Sequence, residues 1–209
     1  IYTRVPHFSA TLSEREKFDW SIFKDGRYIA ATIMAAVTNI QFMIQNVGIP
    51  IWIVKYTEAP RWWVSTMLIL NTAAVVAFQM KISRRTKPLK DSASQYLFSG
   101  FLLAGACGLY AFAEGPSARI ASLMLLAGMA LHVLAELIIA MIHWQTSFDL
   151  AEESRQGAYY GIWTLGNGLS EIIGPTLVTF ALVSLGKPGW GLLALLFIVN
   201  ASLFKVIVL

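Results

Sequence analysis

A histidine and two glutamates lie inside long apolar stretches of this sequence: His132 and Glu136 in one, Glu171 in another. If those stretches cross a bilayer, each ionisable group costs about 2.5 to 3.5 kcal/mol at mid-depth on insertion scales, so water, protein or a function must compensate for it. The chemistry that suits them is proton uptake and release. Desolvation favours the neutral carboxyl, so Glu136 or Glu171 would couple proton movement to transport, with His132 relaying the proton or holding the carboxylate. At 100° per residue His132 and Glu136 lie about 40° apart, and His143 returns to within about 20° of His132, giving one polar stripe. A hydrogen-bonded pair that only fixes helix packing is the plainer reading. His143, close to a span end, is expected at the interface. The spacing of His132 and Glu136 supplies at most two metal ligands where a catalytic site needs a third, so no metal site is expected.

Side-chain amides add to these groups. Asn39, Gln41, Gln45 and Asn46 fall in one apolar run, Asn71 in the next, and Asn167 one turn before Glu171. Gln41 and Gln45 share a helical face, and Asn39 aligns with Asn46. With Asn71 and Asn167 they are candidates for the wall of a substrate cavity, interhelical hydrogen bonding being the alternative. Pro50 and the pair Gly174 and Pro175 interrupt helical hydrogen bonding and permit bends, as gates require. Gly157 and Gly161, with Gly166 and Gly168 beyond, have the spacing of close helix packing.

The elements that must position these groups follow from composition. Of 209 residues, 56% are hydrophobic and 13% charged, with a mean hydropathy of +0.61, whereas soluble domains carry roughly 25% charged residues. Apolar runs of about twenty residues alternate with short charged patches, which is the pattern of membrane-spanning helices. Six spans are expected at about 28–53, 62–80, 94–113, 120–144, 158–182 and 190–209, behind a linker and short interfacial helix over 1–27. Within a bilayer every backbone polar group needs an internal partner, so the fold class is all-α. Trp52, Trp62, Trp63, Trp144 and Trp190 fall near span ends, where indole rings favour the interface.

The N-terminal segment and the loop holding Lys81, Arg84, Arg85, Lys87 and Lys90 carry five basic residues each, against two, one and one on the opposite side. Both termini are therefore expected to be cytoplasmic. The net charge of +4 is spread between apolar runs and makes no continuous face for nucleic acid. Cys107 is the single cysteine, so no internal disulfide or CxxC motif exists. HExxH, GxxxxGK[ST] and GxSxG are absent, so neither an enzyme nor a cofactor is expected. The opening Ile1-Tyr2-Thr3-Arg4 has neither an initiator Met nor the order of a signal peptide, which suggests a fragment of a longer chain.

The stretch from Asp149 to Gly161, Asp-Leu-Ala-Glu-Glu-Ser-Arg-Gln-Gly-Ala-Tyr-Tyr-Gly, resembles the segment before the eleventh span of major facilitator superfamily transporters of the bacterial drug-efflux type. Glu152 stands where that pattern has proline, and Gln156 is inserted between Arg155 and Gly157. Phe78 to Arg85 is similar to the family's basic loop between spans eight and nine, without its aspartate, and Trp20 to Arg27 to the linker entering span seven. The resemblance covers nearly the whole chain. It implies the C-terminal six-helix half of a twelve-span carrier, with Arg155, Gly157, Pro50, Gly174 and Pro175 in gating or packing roles. An N-terminal six-helix half would be its partner, and a small-molecule substrate would bind between the halves. The expectation is proton-coupled efflux of a drug-like or amphiphilic compound by alternating access in the cell membrane. A proton-coupled nutrient importer is the nearest alternative; a membrane-embedded enzyme using His132 and Glu136, and a scaffold or receptor built from transporter helices, are more distant ones.

Overall fold

The computed structural model describes residues 20–83 and 89–208. The segment before Trp20 and the basic loop over 84–88 lie outside them, as does the side-chain placement of residues 81–91. Six helices follow one another: α1 Gly26–Tyr56, α2 Trp63–Ser83, α3 Leu89–Phe112, α4 Ala118–Asp149, α5 Gln156–Thr179 and α6 Lys187–Ile207. A 3-10 turn, Trp20–Lys24, precedes α1, and Asp25 caps it by accepting a bond from the Tyr28 backbone N–H at 3.1 Å. The fold is all-α; among the described residues the one sheet-like contact is an isolated bridge between Thr57 and Glu114. The ends differ from the expected spans by a few residues, and α4 extends furthest beyond its expected range.

Five of these helices are long and apolar enough to cross a membrane, and α5 is outside that set. It is a 24-residue helix whose glycines, Asn167, Ser170 and Glu171 dilute its apolar content. Large apolar side chains line the exterior, among them Ile69, Val76, Phe101, Leu123, Leu165, Ile172 and Val206. A surface of that kind is a liability in water and is compatible with a multi-pass membrane protein.

Short loops make successive helices antiparallel. Gly115 (φ 101°) and Gly186 (φ 63°) supply left-handed backbone at two of these turns. One end of the bundle gathers the start of α1, the α4–α5 connection and the end of α6: Arg27 donates to the Val208 carbonyl at 3.0 and 2.6 Å, and the Tyr28 hydroxyl to the Tyr159 carbonyl at 2.9 Å. At the other end the Thr57–Glu114 bridge and the Lys187–Glu114 ion pair at 3.7 Å tie three loops together.

Packing within the bundle follows a rule. Helix α3 lies against α4 and α6, α1 against α5 and α6, and α2 against α4. Exchanging α1, α2 and α3 with α4, α5 and α6 turns the α1–α5 contact into α4–α2 and the α3–α4 contact into α6–α1, and leaves α3–α6 unchanged. Three is an odd number of helices, so the two triplets run in opposite senses, as an inverted repeat does. The α3–α6 contact is tight because Gly100 presents no side chain: a Cβ there would sit 2.6 Å from the Ala201 Cβ and 3.0 Å from the Phe197 carbonyl oxygen.

Two π-helical segments interrupt this regularity, Ile44–Gly48 in α1 and Phe180–Ser184 after α5. The first comes just before Pro50, whose ring crowds the carbonyl four residues back and which offers it no N–H. The second follows Pro175 by five residues. Gly48 lies against Val178 and Leu182, where a Cβ would come within 2.9 and 3.0 Å, so the irregular stretches of α1 and α5 meet.

Candidate functional site

Two side-chain bridges link α1 with α5 and α2 with α4. Asn39 of α1 donates through Nδ2 to Asn167 Oδ1 of α5 at 2.8 Å. Asn71 of α2 donates through Nδ2 to Glu136 Oε2 of α4 at 2.9 Å. These are the α1–α5 and α2–α4 contacts that the repeat exchanges. Glu136 follows Asn39 by 97 residues, and Asn167 follows Asn71 by 96.

Beside each bridge runs an apolar groove. The α2–α4 groove has a volume of about 460 Å³ and the α1–α5 groove about 270 Å³. The α1 wall consists of Thr32, Ile33, Ala36, Val37 and Ile40, and the residues 97 positions on, Met129, Ala130, Val133, Leu134 and Leu137, all lie in the α4 wall. Leu70 and Ala74 on α2 likewise match Gly166 and Ser170 on α5 at an interval of 96. The repeat thus extends from helix order down to individual side chains.

Glu136 is half-buried, and Asn71, its hydrogen-bond partner, is buried. No described cation pairs with Glu136: the ion pairs seen among the described residues, Arg155–Glu152 and Lys187–Glu114, lie at the bundle ends. A carboxylate held by one neutral amide in an apolar helix contact can be charged or neutral without breaking an ion pair. His132, one turn earlier, does not bond to it. That imidazole is 2% exposed, packs 6.3 Å from the Tyr110 ring, and its Nε2 has no hydrogen-bond partner among the described residues.

A third polar cluster lies in the core and joins four helices. The Thr38 and Tyr96 hydroxyls share a hydrogen bond of 2.6 Å, Tyr96 Oη and His143 Nε2 one of 3.1 Å, and Asn200 Nδ2 donates to Thr38 Oγ1 at 2.7 Å and to the Met34 carbonyl at 2.9 Å. All four side chains are buried. His143, expected at the interface, is thus a core residue; its ring turns inward against Tyr96 and Trp163, while the adjacent Trp144 is 63% exposed. Sequence reading passed over Tyr96, Thr38 and Asn200. The available signal was a polar residue at similar depth in three apolar helices at once.

The remaining candidates are dispersed. Gln41, expected on a cavity wall, is fully enclosed, and its side-chain amide makes no hydrogen bond among the described residues. Gln45 is half-buried and Asn46 exposed. Glu171 is exposed on a face of α5 that includes Gly157, Gly161, Thr164, Gly168 and Pro175, all within about 80° of it on a helical wheel. A Cβ on Gly157, Gly161 or Gly168 would touch nothing within 4 Å, so these three are not packed within the bundle. Gly166 and Gly174 are, against Thr32 and Met43 of α1, with Cβ separations of 2.5 and 2.6 Å. Arg155 donates to the Ser21 hydroxyl at 2.9 Å and to Glu152, and lies 5.8 Å over the Tyr159 ring. That ring's hydroxyl in turn reaches Asp25 at 3.3 Å, so Arg155 closes a clasp between the start of α1 and the start of α5. No family model matches the chain, and no curated protein or solved structure matches it.

Proposed function

We propose that the chain is a six-helix half of a proton-coupled membrane carrier of the major facilitator type, in which Glu136 binds the coupling proton. The observation that carries this reading is the Asn71–Glu136 bridge: an ionisable group in a contact between two apolar helices, hydrogen-bonded to an amide and free of any described cation. Intramembrane carboxylates are costly and mark proton or substrate pathways. The inverted arrangement of two helix triplets supports the same reading, because carriers that rock about a central site are built from such repeats. Support also comes from α5, whose polar face around Glu171 needs water or a second bundle beside it. The apolar grooves suit an amphiphilic, drug-like solute, and efflux in exchange for entering protons is the direction we assign. A lipid-modifying enzyme using His132 and Glu136 together is disfavoured by their separation, since Glu136 bonds to Asn71 and His132 is enclosed.

Proton flux into vesicles holding the full-length protein, followed with a pH-sensitive dye on addition of amphiphilic compounds, tests the proposal. Compound-dependent flux that is lost in Glu136→Gln is expected. Flux unchanged in Glu136→Gln would remove the assignment of Glu136, and product formation without flux would replace transport with catalysis.

A further inference from the structure

We infer that the Asn39–Asn167 bridge is an uncharged counterpart of the Asn71–Glu136 bridge, and that the two act as matched latches on opposite sides of the bundle, of which only one senses protons. This rests on the proposed role of Glu136 and adds Asn39 and Asn167 as positioning residues. Each bridge joins the first helix of one triplet to the second helix of the other, across the two contacts that the repeat exchanges. The intervals of 97 and 96 residues that relate the bridges also relate the walls of the flanking grooves. Two polar pairs placed at random among six helices would not share both the helix exchange and the sequence interval.

The chemistry of the two bridges differs at one atom group. Asn39 bonds amide to amide, and the strength of that bond is indifferent to protons. Asn71 donates to a carboxyl oxygen, and a bond to a charged acceptor is roughly twice as strong as one between neutral groups. With Glu136 charged, the α2–α4 side is held more tightly than the α1–α5 side; with Glu136 protonated, both sides carry neutral bridges of similar strength. Proton binding therefore changes the balance between two equivalent sides, which is what a rocking motion needs from its coupling ion. From α2, Asn71 faces Glu136; His132 on its own helix turns into the core toward Tyr110 of α3, and the Asn39–Asn167 pair of α1 and α5 is neutral. No described cation opposes the carboxylate.

Spin-label pairs across α2–α4 and across α1–α5 in the full-length protein, read as distance distributions at alkaline and acid pH, test this. In the parent protein the ratio of the two α2–α4 distance populations should change by about threefold, the effect of doubling one interhelical bond of average strength, while α1–α5 stays constant. Glu136→Gln should silence the change. Asn39→Asp combined with Glu136→Gln should restore it across α1–α5, because Asp matches Asn in shape and the Asn167 amide can turn its N–H to the new carboxylate. Asn167→Asp with Glu136→Gln provides the same test from the other partner. If Glu136→Gln silences the change but neither transferred carboxylate restores it, the inference falls and the role of Glu136 stands. If the change persists in Glu136→Gln, both fall.

Discussion

The coupling energy between Asn71 and Glu136 should depend on pH, and its size follows from their geometry. One hydrogen bond of 2.9 Å joins them across the α2–α4 contact. Interhelical hydrogen bonds between side chains in bilayers average about 0.6 kcal/mol in double-mutant cycles. A charged acceptor roughly doubles that, to about 1.2 kcal/mol. In a cycle of Asn71→Ala, Glu136→Ala and the double variant, unfolded by denaturing detergent, coupling should be near about 1.2 kcal/mol at alkaline pH and near about 0.6 at acid pH. The sign is fixed by the chemistry: the stronger bond belongs to the deprotonated carboxylate, so coupling is present at high pH and declines as the pH falls. The parallel cycle on Asn39 and Asn167 should give about 0.6 kcal/mol throughout. A coupling of Asn71 to Glu136 that is equal at both extremes would refute the claim that this carboxyl exchanges its proton.

Tyr96→Phe removes the hydroxyl shared by Thr38 and His143, so the melting temperature should fall by the equivalent of about 1 to 3 kcal/mol, the cost of buried groups left unpaired; adding Thr38→Val should lower it further, because that change also removes the acceptor of the 2.7 Å bond from Asn200, which a thermal-shift series would check. Gly166→Ala should destabilise the α1–α5 contact, because its Cβ would sit 2.5 Å from Thr32 Cγ2, whereas Gly168→Ala should be neutral, its Cβ meeting nothing within 4 Å; equal melting temperatures would contradict the packing described. Glu171→Gln should leave stability within about 0.5 kcal/mol of the parent, as exposed substitutions do, and weaken compound-dependent proton flux. Cysteines at Thr164 and Gly168 should react with a water-soluble maleimide faster than cysteines at Leu165 and Ile172, since only the first two share the Glu171 face; equal rates would mean that this face is not the wet one.

The helices were legible in the sequence because apolar run length reports long apolar helices, and each expected span contains a helix; Trp placement was a poorer guide, since Trp52 and Trp190, expected at an interface, are 0% and 1% exposed inside the bundle. Pairings were not legible. Asn39 with Asn167 and Asn71 with Glu136 are joined across 128 and 65 residues, and a helical wheel gives a residue's face without saying which helix meets it. Gln41 and Gln45 show the same limit: they share a face by spacing, yet the face turns into the core, and Gln41 is enclosed. The π segment at Ile44–Gly48 also shifts the register after Gln41, so angles reckoned across it from a regular helix are offset. His132, Glu136 and His143, expected on one polar stripe, meet different neighbours: Tyr110, Asn71 and Tyr96. A difference of about 40° between His132 and Glu136 was enough to send one into the α3 side and the other toward α2.

Helix α5 has two unlike exposed sides. One face of this helix presents Leu165, Leu169, Ile172 and Ile173, all exposed, and suits lipid. The face around Glu171 presents glycines, Thr164 and a carboxyl group, and the six described helices leave it uncovered. Turned to acyl chains it would cost about 2.5 to 3.5 kcal/mol for the carboxylate alone, and its glycines would return little apolar contact. A helix with a greasy side and a smooth, polar side is therefore suited to lie between an apolar and a wet surrounding.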